Sequence, residues 1–235
     1  MAAATQSLLV ELGTEELPVK ALPGLSEAFL LGVRLGLEKR GIGFDKAQAR
    51  SYYTPRRMAV LFPGVAARQP EQRSEVLGPY LNVGLDANGQ PTAALKGFAQ
   101  KNGIDWTELT RGSDAKGERF VHRAVKPGAD TVVLLPDILA EAVKLMPIPK
   151  PMRWGAHEFA FARPLHWLVL LFGPEVVKAE LFGIKADRYT RGHRFHHPAV
   201  VKLAEPGAYV EALRAAHVLV DQDERRKRIR NEVEA

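Results

Sequence analysis

The chain has 235 residues, 33 lysines and arginines against 27 acidic residues, and a formal net charge of +6. Its 46% hydrophobic content is that of a folded protein with one large or two small domains, and the absence of cysteine excludes disulfides, a thiolate nucleophile and a Cys-based zinc site. The longest apolar run, residues 165–172, is too short to span a bilayer, and no signal-peptide pattern opens the chain. We therefore expect a cytoplasmic protein with no membrane partner.

The first 66 residues predict a strand, a helix and two further strands. An apolar strand at 7–12 precedes a polar turn with Glu15 and Glu16. Apolar residues spaced by three and four then predict a helix that ends before Gly41. Strands are predicted at 49–54 and 58–65, with Arg56 and Arg57 at the bend between them.

The middle of the chain begins with residues 66–91, which are polar and rich in turn residues and predict a long surface loop or a subdomain junction. Thr92 is predicted to cap a helix that runs to Asn102. A strand at 118–125 and an amphipathic helix at 131–146 follow, and Pro136 is expected to interrupt or restart that helix. The proline-rich residues 147–151 predict a stiff connector.

The last third predicts a hairpin of strands 165–172 and 176–182, turning at Gly173-Pro174. A loop at 187–197, a strand at 200–203, a helix at 209–215 and a strand at 217–220 follow. Asp221 is predicted to begin a helix with many arginines, which either contacts RNA or a partner or is a solvated face that packs on further chain.

These elements together predict an α+β fold with mixed or antiparallel sheets, packed helices and two subdomains. The expected boundaries are 1–66 for a strand-helix-strand subdomain and 67–204 for a central α+β subdomain. Residues 205–235 are expected to begin a further helical region that continues beyond the given sequence.

The basic segment 150–202 carries most of the excess positive charge. It contains nine lysines and arginines and four acidic residues, so it accounts for five of the six net charges. Aromatic residues are interleaved with these cations, among them Trp154, Trp167, Tyr189 and Phe195. Cations that contact phosphates and rings that stack on bases are typical of RNA-binding surfaces.

Several blocks of this sequence resemble, in the same order, those of the bacterial glycyl-tRNA synthetase β subunit family. The blocks cover nearly the whole chain: 9–18 (LVELGTEELP), 54–60 (TPRRMAV), 78–79 (GP), 91–94 (PTAA), 97–99 (GFA), 149–155 (PKPMRWG), 163–167 (RPLHW) and 190–195 (TRGHRF). The resemblance implies an N-terminal piece about a third as long as the family's members. The rest of such a subunit carries an HD-type domain and an anticodon-binding domain.

The resemblance also implies a function for the assembled enzyme. A separate α subunit holds the class II catalytic core and uses ATP and glycine, whereas the β subunit is needed for recognising and charging the tRNA. We therefore expect a non-catalytic portion of a tetrameric ligase, with no cofactor bound by this chain and with ATP at the α subunit. The expected partners are the α subunit, glycine tRNA and the remainder of the β subunit.

The predicted tRNA contacts are basic side chains of the basic segment and of the turn between the second and third strands: Lys150, Arg153, Lys185, Arg188, Arg191, His193, Arg194, Arg56 and Arg57. Guanidinium groups match phosphate oxygens in pairs, while Tyr189 or Phe195 is placed to stack on a base. The competing interpretation is structural, with some of these arginines paired to Asp187, Glu180 or another acid within the fold. No catalytic residue is predicted.

Three other groups have both structural and functional interpretations. His193, His196 and His197 have the residue type for zinc but no obvious fourth ligand, so no metal is expected and the imidazoles are assigned to the basic patch. The paired carboxylates of Glu15 and Glu16 have the residue type for acid–base chemistry or a metal, but adjacent residues in a turn usually point apart. Both are therefore interpreted as stabilising the start of the next helix, with Arg56 or Arg57 as their ion-pair partner. Trp154, Trp167 and His166 are interpreted as core residues, with His166 as a hydrogen-bonded interior histidine.

Two alternative functions belong to other classes. An editing-like hydrolase that removes a wrong amino acid from tRNA requires a pocket with a water-activating group. A pure subunit-interaction scaffold requires no RNA contact. Salt-dependent tRNA affinity distinguishes the RNA-binding function from the scaffold, and release of amino acid from charged tRNA identifies the hydrolase.

Overall fold

The computed structural model describes residues 4–234 and contains twelve strands and six helices in that range. The strands are β1 (Thr5–Thr14), β2 (Arg50–Thr54), β3 (Arg57–Ala66), β4 (Gln72–Tyr80), β5 (Thr110–Asp114), β6 (Gly117–Lys126), β7 (Leu165–Phe172), β8 (Glu175–Val176), β9 (Glu180–Leu181), β10 (Ile184–Asp187), β11 (Tyr189–Arg191) and β12 (Val200–Lys202). The helices are α1 (Leu22–Lys39), α2 (Leu81–Gly84), α3 (Ala93–Lys101), α4 (Thr131–Lys144), α5 (Tyr209–Ala215) and α6 (Gln222–Val233). The predicted α+β class is confirmed.

The chain folds into two compact units. The large unit combines the chain up to Gln69 with the chain from Ala129 onward, and the small unit is Pro70–Gly128. This division differs from the boundaries expected at residues 66 and 204. The reason is that β7 pairs with β1 and α4 packs on α1, which places residues beyond 129 in the same core as the first 69.

The main sheet of the large unit has the strand order β2-β3-β1-β7-β10-β9, with β8 paired to β7. All pairs are antiparallel except β7 with β10. In the centre of the sheet, Val10 lies opposite Val60 on β3 and Leu170 on β7. The predicted strands at 7–12, 49–54, 58–65 and 165–172 are therefore confirmed.

Both faces of this sheet are buried, because alternate side chains of a strand point to opposite faces. Leu8, Val10 and Leu12 of β1 belong to a cluster with α1 and α4. Leu9 belongs to a second cluster on the other face, formed with α5 and the segment that follows it. The buried Glu11 also lies on β1 and is 0% exposed.

Helices α1 and α4 cover the first face and pack closely through small residues. A Cβ atom added to Gly32 would lie 2.7 Å from the Cα of Ala142, and one added to Gly36 would lie 2.7 Å from Ile138 Cγ2. Arg40 donates two hydrogen bonds to Glu141, at 2.9 and 3.2 Å, and so links the end of α1 to α4.

The other face carries the residues that position the candidate site. Helix α5 buries Tyr209 and Leu213 against this face. The two-stranded sheet of β11 and β12 contributes Thr190, which is fully buried. Helix α6 begins at Asp221, whose side chain accepts hydrogen bonds from the backbone of Asp223 and Glu224, as the sequence predicted.

The small unit contains the sheet β4-β6-β5 and the helix α3, around a core with Leu95, Ala99 and Phe120. The Thr92 side chain accepts from the backbone N–H of Leu95, which confirms the predicted cap. Of the two interpretations of residues 66–91, the subdomain junction agrees with the unit boundary between Gln69 and Pro70, whereas the long loop was wrong, because β4 and α2 lie there. The first six residues of β4 are exposed, so this edge strand lacks the apolar alternation that identifies a strand.

Four other local predictions need correction. Pro136 does not interrupt α4, because burial of Leu135, Ile138 and Leu139 in the core offsets the backbone hydrogen bond that the proline lacks. The predicted strand 176–182 is two short strands, since β8 pairs with β7 and β9 pairs with β10. The predicted loop 187–197 contains β11. The predicted strand 217–220 is not a strand, and His217 there has a φ of +61°.

Candidate functional site

A cleft of about 550 Å³ lies in the large unit, where the β2–β3 turn, the start of β7, the residues after β11 and the residues after α5 meet. Among the described residues, five arginines, three histidines and one acidic residue line it: Arg56, Arg57, Arg191, Arg194, Arg225, His166, His193, His217 and Glu16. The remaining lining side chains include Trp167, Pro198, Val218 and Leu219. The cleft is therefore strongly cationic with an apolar wall.

A buried polar network connects β1 with the cleft lining. The Trp167 indole Nε1 and the Thr190 hydroxyl both donate to Glu11 Oε1. The Thr190 hydroxyl in turn accepts from Arg57 Nη1 at 3.1 Å, and that nitrogen lies 3.8 Å from Glu11 Oε2. Arg57 also donates to the backbone oxygen of Arg191 at 2.7 Å, so the network fixes the backbone at the cleft edge.

Tyr209 lies on the same face and is also fully buried. Burial and the negative charge of Glu11 raise the pKa of its hydroxyl well above the ordinary value. Within residues 4–234, neither the Tyr209 hydroxyl nor Glu11 Oε2 has a hydrogen-bond partner by geometry. The tyrosine is therefore neutral in the folded protein at physiological pH.

The indole ring of Trp167 packs against the backbone of Gly13. A Cβ atom added to Gly13 would lie 1.9 Å from two atoms of the indole ring, so the ring rests directly on the glycine backbone. The guanidinium groups of Arg57 and Arg191 lie 5.4 and 5.7 Å from the Trp167 ring centre. Trp167 is 8% exposed, which agrees with its interpretation as a core residue.

The turn that follows β11 is stabilised by His193. Its Nδ1 accepts from the backbone N–H groups of Phe195 and His196, both at 3.2 Å, and its backbone oxygen accepts from His197. A Cβ atom on Gly192 would lie 2.6 Å from the His197 ring, so the turn requires glycine at that point. The turn thus places Arg191 and Arg194 at the cleft.

Four of the nine predicted contact residues both line the cleft and remain accessible: Arg56, Arg191, His193 and Arg194. Arg57 lines the cleft but is only 4% exposed, because it neutralises Glu11. Arg188 does not line it. Its guanidinium donates to the backbone oxygens of Leu203, Ala204 and Pro174, which supports a structural role, although with carbonyls and not with the acids considered from the sequence.

Lys150, Arg153 and Lys185 are exposed and do not line the cleft. Lys150 and Arg153 lie after α4, and Lys185 lies on β10. Within residues 4–234, no group of three or more histidine, aspartate or glutamate side chains is arranged to hold a metal ion. No helix in that range is long and apolar enough to cross a bilayer.

The predicted ion pair between the β2–β3 turn and the polar turn after β1 is present, since Arg56 Nη2 lies 3.7 Å from Glu15 Oε1. The same Glu15 oxygen lies 2.8 Å from His166 Nε2. The prediction that His166 is interior was wrong: its side chain is 42% exposed, because its position on β7 points it away from the core. The acidic residues do not cap α1 either, since that helix begins at Leu22 and has no acid in its first turn.

Sequence reasoning missed His217 and Glu11, and it considered Arg225 only as one arginine of the terminal helix and not as a residue of this site. Arg225 donates to the backbone oxygens of Leu219, Val220 and Tyr53, a set of long-range and local carbonyls that no sequence pattern reveals. Burial lowers its pKa, although it remains a cation at neutral pH. Glu11 had a usable signal, because it is a lone acid within an apolar run.

Comparison with known proteins places this geometry in context. A family model described as "Glycyl-tRNA synthetase beta subunit" matches residues 8–235. The chain is 69% identical over 228 residues to the "Glycine--tRNA ligase beta subunit" of Xanthomonas campestris pv. campestris, covering 97% of this chain and 33% of that protein. The proteins of the same name from Xylella fastidiosa and Hahella chejuensis are 60% and 45% identical, over 97% and 98% of this chain and 32% and 33% of theirs. The chain spans about a third of the length of these relatives.

Proposed function

The chain belongs to the glycyl-tRNA synthetase β subunit family, and on that premise we propose that it is the N-terminal part of the β subunit of a tetrameric, cytoplasmic glycyl-tRNA synthetase. In this proposal it supports the ATP-dependent attachment of glycine to tRNA by binding the tRNA and by helping the subunits assemble. The aminoacylation chemistry and the ATP site belong to the separate α subunit. Its partners are that subunit, glycine tRNA and the rest of the β subunit.

The tRNA-binding part of this proposal rests on the unpaired guanidinium groups of Arg191 and Arg194. Both line the cleft, and within residues 4–234 neither side chain forms an ion pair with a carboxylate or a hydrogen bond. Most other arginines of the large unit are engaged with carboxylates or backbone oxygens, as Arg57 and Arg188 are. Two unpaired guanidinium groups in one cleft are suited to phosphate oxygens.

The remaining contacts in the proposal follow from exposure. Arg56 extends the cationic lining of the cleft and His193 adds a polar ring to it, and Lys150, Arg153 and Lys185 are exposed cations of the basic segment that a large ligand can reach outside it. Arg57 and Arg188 stabilise the backbone that carries this surface, because their guanidinium groups donate hydrogen bonds within the fold.

A second candidate, the editing-like hydrolase, is favoured by one contact. The imidazole of His166 lies in the cleft and its Nε2 is 2.8 Å from Glu15 Oε1, which is the arrangement of a base oriented by a carboxylate. Arg56 shares the same carboxylate oxygen, at 3.7 Å. Release of amino acid from mischarged glycine tRNA, and its loss in His166→Ala, is the outcome that would establish this candidate over the first.

The test of the first proposal is binding of glycine tRNA to the 235-residue chain at several salt concentrations. We expect Arg191→Ala/Arg194→Ala to weaken binding about tenfold and to lower the salt slope by about two, one for each lost phosphate contact. The matched control is Arg34→Ala/Lys144→Ala, which removes two exposed cations from α1 and α4 on the opposite face of the sheet.

The control should bind like the unchanged chain, and the melting temperature of each variant shows whether it is folded. Equal affinity and equal salt slope in all three proteins would mean that the cleft does not contact tRNA. An unchanged chain that binds no tRNA would leave the assembly role as the function of this region.

A further inference from the structure

The cleft combines two kinds of surface that a phosphate group alone does not need. One part carries the free guanidinium groups of Arg191 and Arg194. Another part is apolar, with Pro198, Val218 and Leu219 among its lining residues. A nucleotide has both a charged phosphate and a flat apolar base, so the lining matches a nucleotide better than it matches an isolated anion.

The size of the cleft limits the ligand. A cavity of about 550 Å³ lies within the usual range for sites that enclose a small molecule, roughly 300–1,000 Å³. It is about 10 Å across if treated as a sphere, whereas a nucleic-acid duplex is wider than either of its grooves, and the major groove of B-form DNA alone is roughly 12 Å wide. A double helix can therefore lie only on its rim, whereas a single unpaired nucleotide can enter.

An exposed aromatic ring lies next to the cleft lining. Phe195 is 73% exposed, although a phenylalanine of a folded protein is usually covered. The guanidinium of Arg194 lies 4.8 Å from its ring centre, and the two residues are held in the same turn by His193. An exposed ring beside a free arginine is a stacking platform for a base that neighbours the bound nucleotide.

The walls of the cleft are fixed by hydrogen bonds to the backbone. Arg57 holds the oxygen of Arg191 on one side. On another side Arg225 holds the oxygens of Leu219 and Val220, at 2.6 and 3.0 Å. A site whose walls are fixed before binding loses less conformational entropy when its ligand enters.

From these four observations we infer that the cleft binds one unpaired nucleotide of RNA, with its phosphate between Arg191 and Arg194 and its base against the apolar wall at Val218. This inference rests on the proposed function and adds to it: the RNA is bound at a single-stranded position and not only along a duplex. The next base in the strand stacks on Phe195.

The experiment compares three probes with the 235-residue chain: a labelled single-stranded oligoribonucleotide, the same sequence paired with its complement, and a free nucleoside monophosphate as competitor. We expect the single strand to bind at least tenfold more tightly than the duplex. Val218→Trp fills the apolar wall and leaves every charge in place, and we expect it to remove that preference. Phe195→Ala, at an exposed position, should weaken single-strand binding several-fold.

A second measurement does not depend on the folding of Val218→Trp. The chain has three tryptophans, and the double variant Trp106→Phe/Trp154→Phe leaves Trp167 as the single reporter in the cleft lining. Its fluorescence should be quenched saturably by the single strand. Absence of saturable quenching would overturn the inference.

The remaining outcomes separate this inference from the proposed function. If glycine tRNA binds with the expected salt slope but the duplex probe binds as tightly as the single strand, the proposed function stands and the nucleotide inference is wrong. If the free monophosphate binds as tightly as the oligonucleotide, the cleft is a site for free nucleotides and the RNA assignment is wrong. If no RNA binds, the nucleotide inference and the tRNA-binding part of the proposed function both fail, and the assembly role remains.

Discussion

Glu11 and Trp167 meet across neighbouring strands, and the indole N–H of Trp167 donates to the buried carboxylate of Glu11. One side chain is a charge inside the fold, and the other lines the cleft on the surface. The contact couples the interior of the β-sheet to the candidate site, because a change at Glu11 alters both the neutralisation of Arg57 and the support of Trp167.

We expect Glu11→Ala to destabilise the protein by about 3 kcal/mol, because it leaves the buried guanidinium of Arg57 without its counter-charge. Urea unfolding followed by circular dichroism measures this change. Glu27→Ala, an exposed position on α1, is the control and should change stability by less than about 0.5 kcal/mol. Equal stability of the two variants would show that the network does not support the fold.

Gly13→Ala should be destabilising by about 1–3 kcal/mol, since the new Cβ atom would overlap the Trp167 ring that lies 1.9 Å away. Gly24→Ala is the matched control, because a Cβ atom there has no neighbour within 4 Å and the residue lies in α1. There we expect a gain of about 0.5–1 kcal/mol. A shifted tryptophan emission spectrum in Gly13→Ala alone would locate the disturbance at Trp167.

The raised pKa of Tyr209 predicts a loss of stability in alkali. The folded protein keeps the phenol proton to a higher pH than the unfolded chain, so this contribution is complete below about pH 10 and decreases above it. Tyr209→Phe cannot titrate and should show a shallower decrease, by up to about 1.4 kcal/mol per pH unit.

At pH 7 the free energy of unfolding of this variant should lie within about 1 kcal/mol of that of the unchanged protein, because no group of the described chain forms a hydrogen bond with the Tyr209 hydroxyl. Thermal or urea unfolding at pH 7, 10 and 11 provides the comparison. Parallel pH profiles for the two proteins would mean that Tyr209 ionises as easily in the folded state as in the unfolded state.

An acid-side prediction concerns Glu141. Hydrogen bonds from Arg40 lower the pKa of this carboxyl below its usual value, so the folded state favours the ionised form. Its contribution to stability is present above the ordinary glutamate pKa of about 4.3 and is lost as the pH falls below it. Glu141→Gln should therefore melt at a lower temperature than the unchanged protein at pH 7 but not at pH 3.

The control for this comparison is Glu27→Gln, a glutamate of α1 that forms no ion pair within the described residues. It should follow the unchanged protein at both pH values. A difference between Glu141→Gln and the unchanged protein that persisted at pH 3 would have to arise from packing and not from the ion pair.

Local patterns predicted those elements whose side chains alternate or repeat in a buried setting. The spacing of Leu25, Phe29 and Val33 identified α1 because each is buried. The strand β5 was missed for the opposite reason, since Thr110–Asp114 has no buried residue and depends on its pairing with β6. Residues 217–220 show the opposite error: the apolar stretch after His217 resembled a strand, but it pairs with no strand of the described chain.

The candidate site was only partly predictable. The motif around Arg191 and Arg194 identified two of its free cations from local sequence and family resemblance. The distinction between a free arginine and a structural one was not available, because Arg57 is neutralised by Glu11, 46 positions earlier in the chain, and Arg188 donates hydrogen bonds to backbone oxygens of two other segments. Such partners are set by strand pairing, which the sequence alone does not specify.

The way the chain leaves and re-enters the large unit has a practical consequence. The backbone N–H of Gln69 donates to the oxygen of Ala129 at 2.9 Å, and Arg68 pairs with Asp130 at 2.8 Å, so the two ends that flank the small unit are side by side. The two points where the chain leaves and re-enters the large unit are therefore joined by direct contacts within that unit. Residues 70–128 are an insertion in the large unit. Replacing them by a short glycine linker from Gln69 to Ala129 would give a shorter protein that still carries the whole cleft.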